Sequence, residues 1–191
     1  MKRITLHPGD LHVSSDPAIT LSTLLGSCVS ACLYDPVNGV FGMNHFLLAA
    51  KSYTGAAFSF ESQSGRYGIN AMELLINDML AMGAIRSQLK AKVFGGANVL
   101  SSLSGGVFAI GDVNARFITS YLQNEKIPVV ASDLGGARGR QIHFQGADFS
   151  VFVKLLGQEN AHQVISRERH YLDKAIHEQE RLGDENNVTF L

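Results

Sequence analysis

An alternating pattern of apolar and polar side chains predicts a β-hairpin in the first quarter of the chain. Residues 28–34 read Cys-Val-Ser-Ala-Cys-Leu-Tyr, so apolar side chains recur at every second position, as they do in a strand. Residues 35–39, Asp-Pro-Val-Asn-Gly, have the composition of a turn, and a second apolar run covers residues 40–48. Two such runs joined by a turn predict a hairpin.

Two later segments have apolar residues three and four positions apart, a spacing that predicts helices. The first helix follows Ser64-Gly65 and ends near Gly83, a typical C-terminal cap. Its apolar face consists of Met72, Leu75, Ile76, Met79 and Leu80. The second helix is capped by Asp112 or Asn114. Its apolar face consists of Phe117, Ile118, Tyr121 and Leu122.

Short apolar runs predict further strands, and a charged amphipathic pattern predicts a terminal helix over residues 158–182 with a polar tail behind it. The predicted strands cover residues 91–94, 127–131, 141–145 and 149–155. Hairpins mixed with helices favour an α+β fold. We expect a single domain over residues 1–157, with the helix and tail of residues 158–191 attached to it.

Composition narrows the classes of function. The chain has 191 residues, of which 46% are hydrophobic and 17% charged, and its formal net charge is -1. This apolar content excludes a disordered chain, and the balanced charge disfavours broad electrostatic binding of nucleic acid. No run of residues has the form of a signal peptide or is long enough to span a bilayer, so we expect a soluble, cytoplasmic protein without direct membrane insertion. Two cysteines, Cys28 and Cys32, cannot form a disulfide framework or a zinc site, and we expect reduced thiols.

The candidate chemistry begins at Gly26-Ser27-Cys28, where a loop meets the first strand of the hairpin. A flexible glycine permits a sharp bend that aims the thiol out of the packing and brings backbone N–H groups towards a developing oxyanion. This arrangement predicts an exposed nucleophile at Cys28. The alternative is an inert cysteine buried at the start of a strand.

The hairpin supplies a partner for this thiol. If Asp35 pairs with Asn38, counting back along both strands places Cys28 directly opposite His45. Opposed residues have Cβ atoms about 4.5–5.5 Å apart, and at that distance an imidazole can accept the proton of the thiol. A bulge at Asn38-Gly39 would instead slip the register and reverse the face, leaving His45 as a half-buried histidine bonded to the backbone.

A Cys–His pair usually needs a third group that holds the imidazole ring. Hydroxyl groups precede the cysteine at Thr20, Ser22 and Thr23. Asp35 is a further candidate, but it is better explained as the first residue of the turn. The spacing does not choose among them. We interpret Cys32 as a core residue, because it lies too far along the strand to bridge to the first cysteine.

Neither a metal nor a cofactor is expected. The glycine clusters at residues 95–96, 105–106 and 135–139 match neither the dinucleotide-binding pattern nor the phosphate-loop pattern. His170 and His177 share a face of the predicted terminal helix, but no third ligand accompanies them.

Several short blocks occur along the chain in a characteristic order. They begin with Leu-Gly-Ser-Cys-Val at 25–29, Leu-Tyr-Asp-Pro at 33–36 and Gly-Met-Asn-His-Phe at 42–46. They continue with Arg-Tyr-Gly at 66–68, Met-Glu-Leu-Leu-Ile at 72–76, Phe-Gly-Gly-Ala-Asn at 94–98, Ile-Pro-Val-Val-Ala at 127–131 and Asp-Leu-Gly-Gly at 133–136. From near Leu21 to about Leu156, this series resembles the chemoreceptor glutamine deamidase family, CheD.

The resemblance implies an enzyme that hydrolyses side-chain amides of particular glutamines on the cytoplasmic helical region of chemotaxis receptors, giving glutamate and ammonia. It implies Cys28 as nucleophile and His45 as base, with no metal or cofactor. The third residue of the family's triad is a threonine six positions before the cysteine, and Ser22 occupies that position here. Serine lacks the methyl group that restricts χ1, so Thr23 is an alternative. The implied fold is similar to that of deamidating bacterial toxins, with two β-layers and flanking helices.

Other functions stay open at this point. The chain is alternatively a chemotaxis adaptor that binds receptors or a CheC-type phosphatase, which the resemblance suggests as a further partner. The same thiolate would also suit hydrolysis of receptor glutamyl methyl esters. A thiol hydrolase unrelated to chemotaxis is the remaining alternative, and only the series of blocks argues against it.

Overall fold

Two mixed β-sheets and two α-helices form the fold in the computed structural model, which describes residues 2–48, 59–99 and 110–157. Single helical positions beyond these ranges are also described, at residues 166, 170, 171, 173, 174, 176 and 177. The outer sheet has the strand order β1-β3-β8-β9, and the central sheet has the order β2-β5-β4-β6-β7. The outer sheet consists of β1 (Lys2–Thr5), β3 (Ile19–Leu25), β8 (Arg140–Gln145) and β9 (Val151–Leu155). The central sheet consists of β2 (Leu11–Ser14), β5 (Val40–Asn44), β4 (Val29–Asp35), β6 (Lys90–Gly95) and β7 (Val129–Leu134).

The helices α1 (Gln63–Ala81) and α2 (Ile110–Asn124) pack against one face of the central sheet, and the outer sheet packs against its other face. The alternation of β4 explains this arrangement. Val29, Ala31 and Leu33 point towards the helices, whereas Cys28 and Cys32 point into the core between the sheets. Both faces of the strand are therefore buried, and the expectation of an α+β fold with layered sheets and flanking helices is confirmed.

The first predicted helix is confirmed as α1. It begins at Gln63, and the side chain of Ser62 caps it by accepting a hydrogen bond of 3.0 Å from the N–H of Gly65. Beyond its end, Gly83 has φ +101°, the left-handed conformation typical of a residue after a helix. The second predicted helix is also present, as α2, but its predicted cap was wrong because the chain is already helical at Ile110.

Each of the other predicted strands has a counterpart, with ends that differ by at most three residues. The largest shift is at β7, which runs parallel to β6 and begins at Val129. The strands β1, β2 and β3 were not predicted. Two of them have only four residues, too few for a periodic pattern, and the third mixes apolar and hydroxyl side chains.

The predicted hairpin is formed by β4 and β5, but with a different register. Asp35 pairs with Val40, not with Asn38, so the loop contains four residues, and Val29 pairs with Phe46. The prediction that Cys28 lies directly opposite His45 was therefore wrong by two residues. Because side chains alternate with a period of two, a shift of two residues keeps both side chains on the face that was predicted.

The predicted terminal helix lies mostly outside the described residues. The seven described positions between 166 and 177 are helical, and Tyr171 packs against the core between the sheets. In the part of the chain that the structure describes, no helix combines the length and the apolar character needed to cross a membrane.

Candidate active site

Backbone hydrogen bonds hold the segment that contains Cys28. The carbonyl oxygen of Cys28 accepts a hydrogen bond of 2.7 Å from the N–H of Gly96, and that of Gly26 accepts one of 2.7 Å from the N–H of Ala97. Gly95 has φ +107°, and a Cβ atom there would lie 2.1 Å from the carbonyl oxygen of Cys28. Glycine is therefore required at residue 95, and the loop after β6 fixes the position of the cysteine.

The thiol of Cys28 is not exposed, contrary to the expectation. Its residue is 1% exposed and belongs to the core between the two sheets, together with Leu21, Leu25 and Leu47. The glycine at residue 26 does not turn this side chain out of the packing, because the outer sheet covers the face of β4 on which the thiol lies.

His45 follows the end of β5 and is held by the loop between β1 and β2. Its backbone N–H donates to the carbonyl oxygen of Asp10 at 3.0 Å, and its carbonyl oxygen accepts from the N–H of Gly9 at 2.8 Å. In the observed register His45 lies opposite Ser30 and is a diagonal neighbour of both Cys28 and Cys32 on the same face of the central sheet. Diagonal residues have Cβ atoms within about 7–8 Å, still within reach of a long or aromatic side chain.

Thr23 fixes the His45 ring. Its Oγ1 lies 2.7 Å from Nδ1 of His45 and 2.9 Å from the carbonyl oxygen of Leu6. The carbonyl can only accept, so the hydroxyl proton points to Leu6, and Oγ1 accepts a hydrogen bond from the Nδ1–H group of the imidazole. The neutral ring then carries its proton on Nδ1 and has a free electron pair on Nε2. This Nε2 is buried and has no hydrogen-bond partner in the described structure.

Burial keeps the imidazole neutral. The His45 residue is 2% exposed, and desolvation lowers its pKa to about 3, an effect that the backbone of Leu6 opposes and the charge of His7 reinforces. Near neutral pH the buried ring is therefore unprotonated, which is the form in which a general base begins its reaction.

Ser22 is not brought to His45. Successive residues of a strand point to opposite faces, so the side chain of Ser22 lies on the outer face of β3, whereas that of Thr23 faces the core between the sheets. Ser22 pairs with His143 of β8 on that outer face. Of the hydroxyl groups considered from the sequence, the structure places that of Thr23 against the ring.

Asp35 and Cys32 have the structural roles that the sequence favoured for them. The carboxylate of Asp35 accepts hydrogen bonds from the backbone of Val37 and Asn38 in the turn, and from the backbone N–H of Ile85 at 2.8 Å. Burial raises the pKa of this carboxyl, but these hydrogen bonds and one from the Asn38 side chain outweigh it and lower the pKa overall. Cys32 is fully buried, and desolvation raises the pKa of its thiol, so it stays protonated.

Asn114 of α2 joins the two segments that carry the candidate residues. This role was not predicted from the sequence. Its Nδ2 donates to the carbonyl oxygen of Ser27 at 3.1 Å and to that of Ile110 at 3.0 Å, and its Oδ1 accepts from the N–H of Leu48 at 2.8 Å. The residue is fully buried. A signal was present in the sequence, because Asn114 lies on the apolar face of the helix, three residues before Phe117.

The described residues contain no cluster of three or more His, Cys, Asp or Glu side chains that could hold a metal ion.

In this layered α+β fold, Cys28 and the neutral His45 lie on the face of the central sheet that meets the outer sheet, and Thr23 of the outer sheet contacts the imidazole across the core. Comparisons with known proteins give the family. The model of the family described as CheD chemotactic sensory transduction matches residues 50–155, and several relatives more than 40% identical extend over most of the chain. The chain belongs to the CheD family.

Three relatives show the extent of the similarity. A protein of Geobacter sulfurreducens, named probable chemoreceptor glutamine deamidase CheD 1, is 45% identical over 175 residues, which are 91% of this chain and 87% of that protein. A second, from Chromobacterium violaceum, is 43% identical over 95% of this chain and 87% of its own length. A third, from Shewanella oneidensis, is 46% identical over 80% of this chain and 76% of its own length. The Chromobacterium and Shewanella proteins are each named probable chemoreceptor glutamine deamidase CheD 2.

The alignment with the Geobacter protein is long enough that it necessarily includes residues 22–45, which lie before the family-model match. Among solved structures, Neisseria meningitidis protein NMB0706 is similar at 11% identity with a TM-score of 0.43, over 78% of this chain and 65% of that chain. This likeness is too distant to support a conclusion about function.

Proposed function

We propose that this protein deamidates specific glutamine side chains of chemoreceptors, with Cys28 as the nucleophile and His45 as the base. The observation that carries the proposal is the hydrogen bond between Thr23 and Nδ1 of His45. It leaves the electron pair of Nε2 free on the sheet face where the thiol lies. The curated relatives, named as probable chemoreceptor glutamine deamidases, supply the substrate class.

In the first half of the proposed reaction, Nε2 of His45 accepts the proton of the Cys28 thiol. The thiolate attacks the carbon of the glutamine carboxamide, and backbone N–H groups near Ser27 and Cys28 stabilise the oxyanion. The C–N bond then breaks, the imidazolium gives its proton to the nitrogen, and ammonia leaves. A thioester remains on Cys28.

In the second half, Nε2 accepts a proton from water, and the hydroxide attacks the thioester. The C–S bond breaks, glutamate is released, and the proton returns to the thiolate. Thr23 supports both halves, because its oxygen accepts a hydrogen bond from Nδ1 whenever the ring becomes positively charged.

The buried position of the site bears on how substrate enters. Cys28 is 1% exposed and His45 is 2% exposed, so a glutamine side chain reaches the sulfur only when the packing around it opens. We infer that docking of the receptor helix opens the site. Water then reaches the pair mainly in the docked state, which limits side reactions of the thiolate. This proposal places the protein in the cytoplasm, where the helical region of the receptor lies.

To test this proposal, the purified protein is incubated with receptor cytoplasmic fragments in three forms: with glutamine, with glutamate and with glutamyl methyl ester at the modification sites. Intact-mass analysis and ammonia release follow each reaction. The proposal expects ammonia and glutamate from the glutamine form. Tight binding without any mass change contradicts the proposal and favours an adaptor, which would bind receptors or a CheC-type phosphatase. Methanol released from the ester form, with the amide form unchanged, supports a methylesterase instead.

A further inference from the structure

A cavity lies on the outer face of the outer sheet, away from the candidate active site. It has a volume of about 470 Å³ and is lined by Arg3, Thr20, His143, Gln145 and Phe152. These side chains come from all four strands of the sheet. Leu21 and Thr23 of β3 point to the opposite face, so the thickness of the sheet separates this cavity from Cys28.

The strand register brings the lining side chains together. Arg3 pairs with Thr20, and Thr20 pairs with Gln145, so these three form one row across β1, β3 and β8. His143 pairs with Phe152 of β9 two positions away. Side chains opposed in this way on one face lie about 5 Å apart, so their polar groups can meet on one small molecule.

Two polar atoms of this cavity are buried without a hydrogen-bond partner. The Thr20 residue is only 4% exposed, and its Oγ1 has no partner in the described structure. Nδ1 of His143 is likewise buried without a partner. An unpaired buried polar group costs about 1–3 kcal/mol, so two of them in one cavity suggest that a ligand supplies the missing hydrogen bonds.

The chemistry of the lining favours an anion. Arg3 supplies a fixed positive charge and the fork of donors that suits carboxylate and phosphate groups. Thr20 and Gln145 can each donate a hydrogen bond. None of the five lining residues is acidic. Burial, and then the charge of Arg3, lowers the pKa of His143.

We propose that this cavity binds a small oxyanion, either a phosphate or a carboxylate group, between Arg3, Thr20 and His143. Arg3 contributes the charge, Thr20 contributes its unpaired hydroxyl group, and Phe152 forms an apolar wall on one side. The site is independent of the proposed deamidation, because it lies on the other face of the sheet from His45.

The test is an NMR titration of the full chain labelled with ¹⁵N, in which the imidazole signals of His143 are followed. Inorganic phosphate is added in one titration and acetate in another. Chloride keeps the ionic strength constant. We expect a saturable shift with one of the two anions. Saturation by phosphate assigns a phosphoryl ligand, and saturation by acetate assigns a carboxylate. Saturation by neither overturns the proposal.

Variants show whether the binding uses this cavity. Arg3→Gln is expected to weaken binding by about tenfold or more. Lys2→Gln is the matched control, because it removes the same charge from the neighbouring residue, which pairs with Ile19 and so lies on the other face. Equal weakening by both variants, or by neither, contradicts the site.

Thr20→Val keeps the shape of the side chain and removes only a hydroxyl group that is unpaired in the described structure, so the variant is expected to fold. Its affinity for the anion is expected to fall, and unchanged affinity would show that the hydroxyl group is not a ligand. Cys28→Ala is expected to bind the anion as wild type does, so the outcome is separate from that of the deamidation assay.

Discussion

A single hydroxyl group decides how the His45 ring can act. The proton of Thr23 is committed to the carbonyl oxygen of Leu6, so its oxygen is available only as an acceptor for Nδ1–H. This fixes the tautomer that leaves Nε2 free, and in the proposed reaction that nitrogen accepts the proton of the thiol. When the ring becomes positively charged during the reaction, the same hydrogen bond becomes charge-assisted and therefore stronger.

The first prediction concerns Thr23. Thr23→Val keeps the branched shape and removes the hydroxyl group, and we expect kcat for deamidation to fall about 10–100-fold, the effect of losing one hydrogen bond to a charged group. Thr23→Ser keeps the hydroxyl group and should recover most of the activity. Ser22→Ala is the matched control on the other face of β3 and should retain it. Full activity in Thr23→Val together with a loss in Ser22→Ala would assign the role to Ser22.

The second prediction concerns the pH dependence of stability. The pKa of His45 is about 3 in the folded protein and about 6.5 in an unfolded chain, so the unfolded state binds more protons between these values. The stability linked to His45 is thus complete above about pH 6.5 and is lost as the pH falls towards 3. Urea unfolding of wild type and His45→Gln at pH 7 and pH 4.5 measures this effect. The variant should lose less stability on acidification, and an equal loss would contradict a buried neutral ring.

At the scale of elements, the site depends on contacts between segments that are far apart in the sequence. The loop after β6 holds the carbonyl oxygen of Cys28, and the loop between β1 and β2 holds the backbone of His45. Asn114 of α2 links Ser27 to Leu48 and so couples the two segments directly. In addition to the pairing of β4 with β5, three segments that carry neither group therefore hold the thiol and the imidazole in position.

The third prediction follows from this coupling. Asn114→Ala leaves the carbonyl oxygen of Ser27 and the N–H of Leu48 buried without their present partner, and we expect the free energy of unfolding to fall by about 2–4 kcal/mol. Asn124→Ala, at the exposed end of the same helix, is the matched control and should change it by less than about 0.5 kcal/mol. Denaturant unfolding measures both changes. Equal effects of the two substitutions would contradict the role of Asn114.

The same scale explains why the hairpin was predicted correctly but its register was not. Asp35 accepts hydrogen bonds inside the turn and also from Ile85, a residue that lies far along the chain. This long-range contact, together with Gly39 at φ +71°, suits a loop of four residues. The sequence of the turn alone could not predict this contact with Ile85, and therefore could not predict the length of the loop. The predicted face was nevertheless right, since side chains alternate and the error was an even number of residues.

At the scale of the whole molecule, the sequence predicted what depends on local periodicity and missed what depends on packing between layers. The α+β class and α1 follow from patterns of apolar residues. The burial of Cys28 depends on the outer sheet, whose strands β1 and β3 have no clear period. Ser22 and Thr23 point to opposite faces of β3, so the position of the outer sheet against β4 decides which hydroxyl group meets His45.

The two cysteines have different roles in the proposed reaction, with Cys28 as nucleophile and Cys32 as a core residue. Cys28 precedes β4 by one residue and Cys32 is its fourth residue; both lie on the same face of the central sheet, and both are at most 1% exposed. Burial therefore does not separate them, and neither does the strand register, because His45 lies opposite Ser30 and is diagonal to both cysteines. The difference lies in the backbone: Cys28 lies outside the strand, where its carbonyl oxygen accepts from the N–H of Gly96, whereas Cys32 lies within the strand and pairs with Met43.

The measurement that tests this claim most directly is ammonia release from receptor fragments by wild type, Cys28→Ala and Cys32→Ala, with each fold checked by thermal melting. Both substitutions remove one buried thiol from the same core, so they are matched in chemistry and burial. We expect Cys28→Ala to abolish deamidation and Cys32→Ala to retain it at any temperature where the variant is folded. Deamidation that survives in folded Cys28→Ala would contradict the account.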